Sequence, residues 1–457
     1  MNNISQKRLE LFSKLSGDFN PLHLNEEFAK NSYYGKQIIY GIYQVFLTLE
    51  NFFKKNQKNI KIQKIKTSFI NPLFKDEDFN LKPIKSKNKF SKKYEIINKS
   101  KILSKIDFEF QEESKLDNPY ENILFNKYDA VSNPLLKEKN IKEELKYNST
   151  IFKQLFPLCA TYLNPQNIAI LLASTRIVGM KIPGLHSIYS SLNLNFLNNN
   201  NNNIENKQLI YNYEKHHSIE CYLIDFISPC KGSIKAFIRP QLIKNLNYKN
   251  LILKYPNILE SKNFKEQKAL VVGASSGLGN TCAKILALGG AKILATYHTK
   301  NIQESIPDCN FLQYNVLKPS KISIEKIKKF NPTHIYYFAT PKISIQGNKL
   351  DRKILFNFLD YYIFGLEKIL SFTNPIFCFS SSSSFVEDLP LDMKEYSIAK
   401  AAMEIYMRYL KKTKNIEIQT PRFPRAKTNQ TLSLLPQKLK ETDELIVSML
   451  LNPDKEL

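Results

Sequence analysis

Only 13 glycines occur in the 457 residues, yet Gly273, Gly277 and Gly279 fall within seven positions of one another. They come directly after the apolar run Ala269-Leu-Val-Val272 and open a segment of helical pattern. A pyrophosphate group asks for this arrangement. The first glycine permits a sharp turn, the others let backbone and helix approach closely, and a helix N-terminus favours negative charge. A tight turn alone would explain an isolated glycine cluster, so the context decides. Strand and helix patterns alternate downstream, with Ala291-Lys-Ile-Leu-Ala-Thr-Tyr297 as the next strand. Such alternation predicts a parallel sheet with helices on both faces over residues 266–457.

A second motif lies far downstream. Tyr396-Ser-Ile-Ala-Lys400 follows the serine-rich strand end Ile376-Phe-Cys-Phe-Ser-Ser-Ser-Ser-Ser384. Tyrosine and lysine four apart share one helix face, and an ammonium beside a phenol lowers the phenol pKa. Tyr396 then exchanges a proton with a substrate oxygen near neutral pH. The spacing G-x-x-x-G-x-G joined to Y-x-x-x-K resembles the short-chain dehydrogenase/reductase family, whose fold is a doubly wound Rossmann domain. The resemblance implies that Gly273, Ser275, Ser276, Gly277, Leu278 and Gly279 cradle a nicotinamide dinucleotide and that Lys400 also holds its ribose. It implies a serine that polarises the substrate oxygen. Alignment on the strand favours Ser381, fifteen residues before Tyr396, and the common spacing of thirteen favours Ser383; Ser381 is preferred. Looser matches place Asn315 and Val316 at the adenine, Ala339 and Thr340 beside the cofactor, and Pro424 and Thr428 at the nicotinamide. One departure stands out: Tyr362, three residues before Gly365, occupies the place of the family's catalytic asparagine, so the proton relay through that residue is open. The second strand ends in Tyr297-His-Thr-Lys300, with no carboxylate for a ribose 2′-hydroxyl. His298, Thr299 and Lys300 suit a 2′-phosphate better, which favours NADP(H) and leaves NAD(H) as the alternative.

The N-terminal part carries a different chemistry. In Leu15-Ser-Gly-Asp-Phe-Asn-Pro-Leu-His23, Asp18 and His23 flank a turn centred on Asn20-Pro21. Such a turn brings an acid and an imidazole together, able to orient a water, take its proton and supply another to carbon. A helix opening at Gly41 aims backbone N–H groups at a thioester oxygen that gains charge in the transition state. Turn residues of this kind also occur with no catalysis at all. The stretch from Phe12 to Leu49 resembles the MaoC-like, (R)-specific enoyl hydratases of hot-dog fold, with their signature S-G-D-x-N-P-x-H. By that resemblance Asp18 and His23 are the catalytic pair and Gly41 the oxyanion donor, with Tyr40 where the family commonly has histidine.

The expected layout is α/β and α+β multidomain. A hot-dog domain over residues 1–115, an antiparallel sheet around a central helix, is followed by a linker over 116–150. A second, degenerate half over 151–240 is built on the buried helix Ile168-Ala-Ile-Leu-Leu-Ala-Ser-Thr-Arg-Ile-Val178, and a linker over 241–265 leads to the Rossmann domain. Tandem halves of this kind pair within one chain, the second shaping an acyl tunnel. The run from Asn198 to Asn203 reads as a floppy connection.

Bulk properties narrow the classes. Hydrophobic residues at 43% and charged residues at 24% suit a water-soluble globular chain, with no apolar run long enough to span a membrane. The first ten residues carry charges where a signal peptide has its apolar stretch. Six scattered cysteines form neither a metal set nor a disulfide framework, pointing to a reduced cytoplasm and no metal. The net charge of +24 is spread along the chain without an arginine stripe, which argues against nucleic acid and suits an acidic carrier protein or coenzyme A.

The two chemistries are adjacent steps on one substrate class. The resemblances imply an NADPH-dependent 3-oxoacyl reductase joined to an (R)-3-hydroxyacyl dehydratase/enoyl hydratase of fatty-acyl metabolism. Its partners would be acyl-carrier protein or coenzyme A thioesters, with homo-oligomerisation left open. The alternative keeps only the reductase catalytic, on a non-thioester carbonyl of surface-glycan or secondary metabolism, with the hot-dog part as an acyl- or carrier-binding module.

Overall fold

The computed structural model describes residues 4–86, 88–99, 101–197, 207–299, 304–343 and 349–451. Lys300 and the asparagine run 198–203 lie outside the described residues. The chain divides into two compact units, Met1–Leu242 with Ser433–Pro436, and Ile243–Leu432 with Gln437–Leu457.

The first unit opens with helices α1 (Gln6–Ser16), α2 (Pro21–Leu24), α3 (Glu26–Lys30) and α4 (Gly41–Phe53). Proline at the first position of α2 and the Asn20 side chain accepting from Leu22 N start that short helix where the sequence placed a turn. Strands β1 (Ile60–Phe69), β2 (Asn80–Ile84), β3 (Ser91–Asn98) and β4 (Lys101–Glu112) follow, then β5 (Lys137–Glu144). Helices α5 (Ser149–Leu155), α6 (Pro157–Tyr162) and α7 (Pro165–Arg176) lead into a π-helical turn, Ile177–Lys181, and strands β6 (Ser187–Phe196), β7 (Gln208–Lys215), β8 (Cys221–Ser228) and β9 (Cys230–Ile238).

All nine strands form one sheet in the order β2-β3-β4-β1-β6-β9-β8-β7-β5. Counted outward from the antiparallel β1–β6 pair, each side places its first strand, then its fourth, third and second. Each set of four follows one long helix, α4 or α7, so one topology occurs twice. Helix α7 is buried on all sides along nearly its whole length, as a helix enclosed in a core is. Its Asn167 accepts from Ile62 N at 2.8 Å and donates to Ile62 O at 3.1 Å, at the bulge where the β1–β4 register shifts. The two halves therefore share a single core, not one core each. The segment 116–150, expected to be only a linker, contains β5, which pairs with β7 and closes the sheet's far edge.

The second unit begins earlier than expected. Residues 241–265 include helices α8 (Tyr248–Lys254) and α9 (Pro256–Ser261), whose Leu251 and Ile258 are buried in its core. Strands β10 (Lys268–Val272), β11 (Lys292–Tyr297), β12 (Cys309–Gln313), β13 (His334–Tyr337), β14 (Phe377–Ser380) and β16 (Glu417–Gln419) form a parallel sheet ordered β12-β11-β10-β13-β14-β16. Alternate residues of β10 enter different cores. Ala269 and Val271 pack with α8, α9, α10 (Gly277–Leu288) and α16 (Thr442–Leu451). Leu270 and Val272 pack with α11 (Lys321–Phe330), α12 (Arg352–Leu359), α13 (Gly365–Leu370) and α15 (Lys394–Thr413). A strand buried on both faces reads as a continuous apolar run, which is why Ala269–Val272 shows no alternation. Short β15 (Ser382–Ser383) and β17 (Arg422–Phe423) pair separately, and α14 (Phe385–Asp388) follows β15. No helix among the described residues is long and apolar enough to cross a membrane.

Replacing Asn167 by Ala strands both backbone groups of Ile62 without partners in a dry core. The expected cost is about 2–6 kcal/mol, from about 1–3 kcal/mol for each of the two buried unsatisfied groups. A lowered urea midpoint for the first unit checks it; an unchanged midpoint contradicts it.

Candidate active sites

In the first unit the chain leaves α1 through Gly17 at φ 76° and turns at once into Asp18. Asp18 is 2% exposed. Its Oδ2 accepts from Thr175 Oγ1 at 2.7 Å and its Oδ1 from Asn20 N at 3.2 Å. A Cβ on Gly179 would lie 2.2 Å from Asp18 Oδ1, so the π-helical turn after α7 needs glycine there to receive the carboxyl. Asn20 fastens the same turn: Nδ2 donates to Gly179 O at 2.9 Å and Gly184 O at 3.0 Å, and reaches Leu185 O at 3.3 Å.

His23 Nδ1 is paired with Ile38 O at 2.8 Å. A carbonyl only accepts, so Nδ1 carries the proton and the neutral ring keeps its lone pair on Nε2. The ring stacks on Tyr40 at 3.8 Å between centroids, and the Tyr40 hydroxyl donates to Asp18 O at 2.9 Å. No direct hydrogen bond joins Asp18 to His23; Tyr40 ties both.

Burial inverts their ordinary titration order. It pushes Asp18 up to about 7, against the bonds from Thr175 and Asn20 that favour the carboxylate. It pulls His23 down to about 4, with the nearby Arg239 charge acting in the same direction. At neutral pH the site holds a carboxyl that keeps or gives up its proton and an imidazole that is a free base, a division suited to acid–base chemistry. Gly41 opens the 13-residue α4, and a Cβ there would lie 2.8 Å from the Phe69 ring, so glycine lets the helix start close against that ring.

Sequence reasoning had not singled out Thr175, Gly179 or Arg239 as parts of this site. The signal was present for the first: Ser174-Thr175-Arg176 interrupts an apolar helix with polar groups that are all buried.

In the second unit the glycine loop leaves β10 beside β13, where the strand order reverses, the usual binding crevice of such sheets. Gly273 has φ 85°, and a Cβ on it would lie 2.8 Å from Ala339 N. Thr296 Oγ1 accepts from Gly273 N at 3.2 Å, and Asn280 Nδ2 donates to Ala274 O at 3.2 Å, bracing both ends of the loop. A Cβ on Gly279 would lie 2.4 Å from Gly273 O, whereas on Gly277 it would meet nothing nearer than Thr428 Cγ2 at 3.5 Å. The loop is thus tight against its own sheet and open where α10 begins, with no side chain capping that helix. Ser275, Leu278, Ala339, Thr340, Pro424 and Thr428 are partly exposed and Ser276 is exposed, as residues meeting a ligand would be. His298 and Thr299 are exposed at the end of β11. Asn315 Oδ1 accepts from Leu317 N at 3.0 Å, which caps its own turn, and Val316 is buried beside it. These features fit a dinucleotide: close backbone approach, an uncapped helix N-terminus and a crevice at the sheet's reversal.

The two candidate serines have different partners. The hydroxyl of Ser383 is hydrogen-bonded to the Tyr396 phenol, whereas Ser381 presents its carbonyl to Lys400 Nζ at 2.6 Å. The cause is β15: Ser382 and Ser383 pair with Arg422 and Phe423, and Ser382 Oγ donates to Glu404 at 2.6 Å. Glu404 also takes Arg422 Nε and Nη2 at 2.8 and 2.7 Å. Lys400 does not lower the phenol as expected. Burial pushes Tyr396 up to about 12, the Ser383 bond opposing, and burial pulls Lys400 down to about 7 despite Glu404. Tyr362 occupies the asparagine position in a π-helical turn, Asp360–Phe364. Its ring lies 3.9 Å from Lys400 Nζ and its hydroxyl pairs with Thr340 Oγ1 at 2.7 Å.

Asp18 is protonated more readily folded than unfolded, so its contribution is fully present below about pH 4 and lost as pH rises through about 7. Asp18→Asn removes the charged form, and its stability relative to the parent should climb across that window, by up to about 4 kcal/mol at about 1.4 kcal/mol per pKa unit. Urea unfolding at pH 4, 6 and 8 reads this; a pH-independent difference contradicts it. In the second unit, Gly279→Ala drives a methyl against the Gly273 carbonyl and should weaken NADPH binding at least tenfold, measured by nicotinamide fluorescence.

Searched against curated proteins, the sequence matches none. Among solved structures it is similar to a short-chain dehydrogenase from Burkholderia cenocepacia in complex with NADP, at 16% identity over 41% of this chain and 91% of that one, with a TM-score of 0.33. It is similar to a short-chain dehydrogenase from Sphingobium yanoikuyae in complex with NADPH, at 16% identity, 41% and 85% coverage and a TM-score of 0.35. A third is a 3-oxoacyl (acyl-carrier-protein) reductase from Agrobacterium tumefaciens with NADP bound, at 14% identity, 42% and 89% coverage and a TM-score of 0.35. Residues 2–103, which contain Asp18, His23 and Gly41, match the family model described as the MaoC like domain.

Proposed function

We propose that the chain is a bifunctional acyl-thioester enzyme, with an (R)-3-hydroxyacyl dehydratase/enoyl hydratase in the first unit and an NADPH-dependent 3-oxoacyl reductase in the second. The observation that carries the proposal is the inverted pair in the first unit, a carboxyl holding its proton to about pH 7 beside an imidazole neutral down to about 4. The repeated strand order supports a reading as tandem hot-dog halves, and the match over residues 2–103 supports the first half's assignment.

In hydration, His23 Nε2 takes a proton from water as its oxygen bonds to C3 of a trans-2-enoyl thioester. Asp18 gives its proton to C2, and the Gly41 amide meets the charge gathering on the thioester oxygen. Dehydration reverses each transfer. Thr175 and Asn20 hold the Asp18 carboxyl, and Ile38 holds the His23 ring.

In the second unit, Gly273, Ser275, Ser276, Gly277, Leu278 and Gly279 would hold the pyrophosphate, with Asn315 and Val316 at the adenine and Ala339, Thr340, Pro424 and Thr428 towards the nicotinamide. His298, Thr299 and Lys300 would meet a 2′-phosphate. NADPH, when bound, would supply a hydride for the carbonyl carbon. Tyr396, protonated at every physiological pH, gives its proton to the carbonyl oxygen, and Ser383 polarises that oxygen. Lys400 donates to the Ser381 carbonyl, packs on the Tyr362 ring and would hold the ribose. A phenol kept in its acid form suits reduction followed by dehydration, with acyl-carrier protein or coenzyme A as the thioester's carrier.

The assays are hydration of a crotonyl thioester and NADPH oxidation with an acetoacetyl thioester. Asp18→Asn should lose hydration by roughly a hundredfold or more and keep reduction, and Tyr396→Phe should do the reverse. Ser383→Ala should slow reduction about a hundredfold, and Ser381→Ala should leave it within about threefold. A parent protein that hydrates no enoyl thioester overturns the first activity; one that oxidises NADPH only with non-thioester carbonyls overturns the second.

A further inference from the structure

We propose that Arg239 is an anion-binding residue beside His23, taking a phosphate or carboxylate carried by the thioester substrate. The proposal rests on the acyl-thioester reading of the first unit and adds what that reading lacks, a charged contact to the ligand.

Arg239 follows the last residue of β9 and is 3% exposed. Its backbone N–H donates to His186 O at 2.5 Å, and Nη2 donates to Leu185 O at 2.9 Å. The guanidinium lies 5.5 Å from the Phe28 ring on α3. Nη1 is buried with no hydrogen-bond partner, and no carboxylate among the described residues forms an ion pair with this side chain. Burial pulls its pKa down to about 10, with only the Tyr34 phenol acting the other way.

A buried cation without a counter-charge is costly, and folded proteins pair such groups. This fold does so for its other deeply buried arginine in the first unit. Arg176 has Glu143 at 2.7 Å and the carbonyls of Ser16 and Glu144 at 2.7 and 3.0 Å. Arg239 is left with one carbonyl and one ring face. Its charge acts on both His23 and His186, lowering each. The Leu185 carbonyl it holds is the one reached by Asn20, so a single oxygen links the arginine to the turn carrying Asp18 and His23. An anionic oxygen at Nη1 would complete the guanidinium and neutralise the charge beside the imidazole. Two sources have that chemistry: the phosphate of a phosphopantetheine arm and a carboxylate at the far end of the acyl chain.

Two measurements test this on the full chain. First, His23 is titrated by NMR with and without inorganic phosphate or acetate. An anion on Arg239 should raise the imidazole pKa in the parent and in Arg239→Lys, and not in Arg239→Gln. Second, hydration is compared for crotonyl-phosphopantetheine, crotonyl-pantetheine and glutaconyl-pantetheine. The parent should favour one of the two charged thioesters by roughly ten- to a hundredfold in KM, as a hydrogen bond to a charged group provides. Arg239→Gln should remove that preference, and matching amide spectra show that the variant folds. A preference for the first source identifies the phosphate, for the second the carboxylate. An imidazole unmoved by either anion, or a preference that survives in Arg239→Gln, overturns the proposal. If no thioester is hydrated but the Arg239-dependent shift remains, the hydratase reading fails and the anion site stands.

Discussion

The Asp18 carboxyl occupies the space where a side chain on Gly179 would stand, and much of the first unit is arranged around that contact. A carboxylate this deeply enclosed is unfavourable unless hydrogen bonds hold it. Thr175 and Asn20 provide them, and Asn20 also ties its turn to the carbonyls of Gly179 and Gly184. The half of the sheet that lacks the S-G-D-x-N-P-x-H motif is therefore the half that seats it. The shared core, the β1–β6 pairing and the Asn167 bridge to the β1 bulge keep these partners in register.

The second unit solves a related problem with a cation. Lys400 is 5% exposed and loses its hydration, which is replaced by the Ser381 carbonyl and the face of Tyr362. An aromatic face attracts an ammonium more strongly when both are dry. Tyr362 thus occupies the asparagine's place with a different interaction, and its hydroxyl joins Thr340 on the loop after β13. Both sites lie at a π-helical turn, Ile177–Lys181 in one and Asp360–Phe364 in the other, and such turns often mark functional positions.

Much of this was legible in the chain itself. Gly273 and Gly279 announced a backbone that must pass close to other backbone, because only glycine fits where Ala339 N and Gly273 O stand. Asp18, Asn20, Pro21 and His23 announced a capped turn with an acid and a base. The serine was not legible. Which of Ser381 and Ser383 faces the phenol depends on β15 pairing with residues forty positions later. Nor was β5, because Lys137–Glu144 is mostly charged and exposed, and an edge strand has little apolar pattern to show.

The sequence by itself determined the local chemistry: the glycine turn, the N-cap before α2, the alternating strands, and which acids, bases and hydroxyls were at hand. These follow from dihedral preference and from the periodicity of apolar residues, both properties of neighbours in the chain. Tertiary structure alone decided what each group does. Asp18 keeps its proton, His23 stays neutral, Lys400 loses much of its basicity and Arg239 Nη1 lacks a partner because of what surrounds them. Those surroundings come from residues far away in sequence, brought together by burying one core. Desolvation is a property of the packed fold and has no signature in a short stretch of chain.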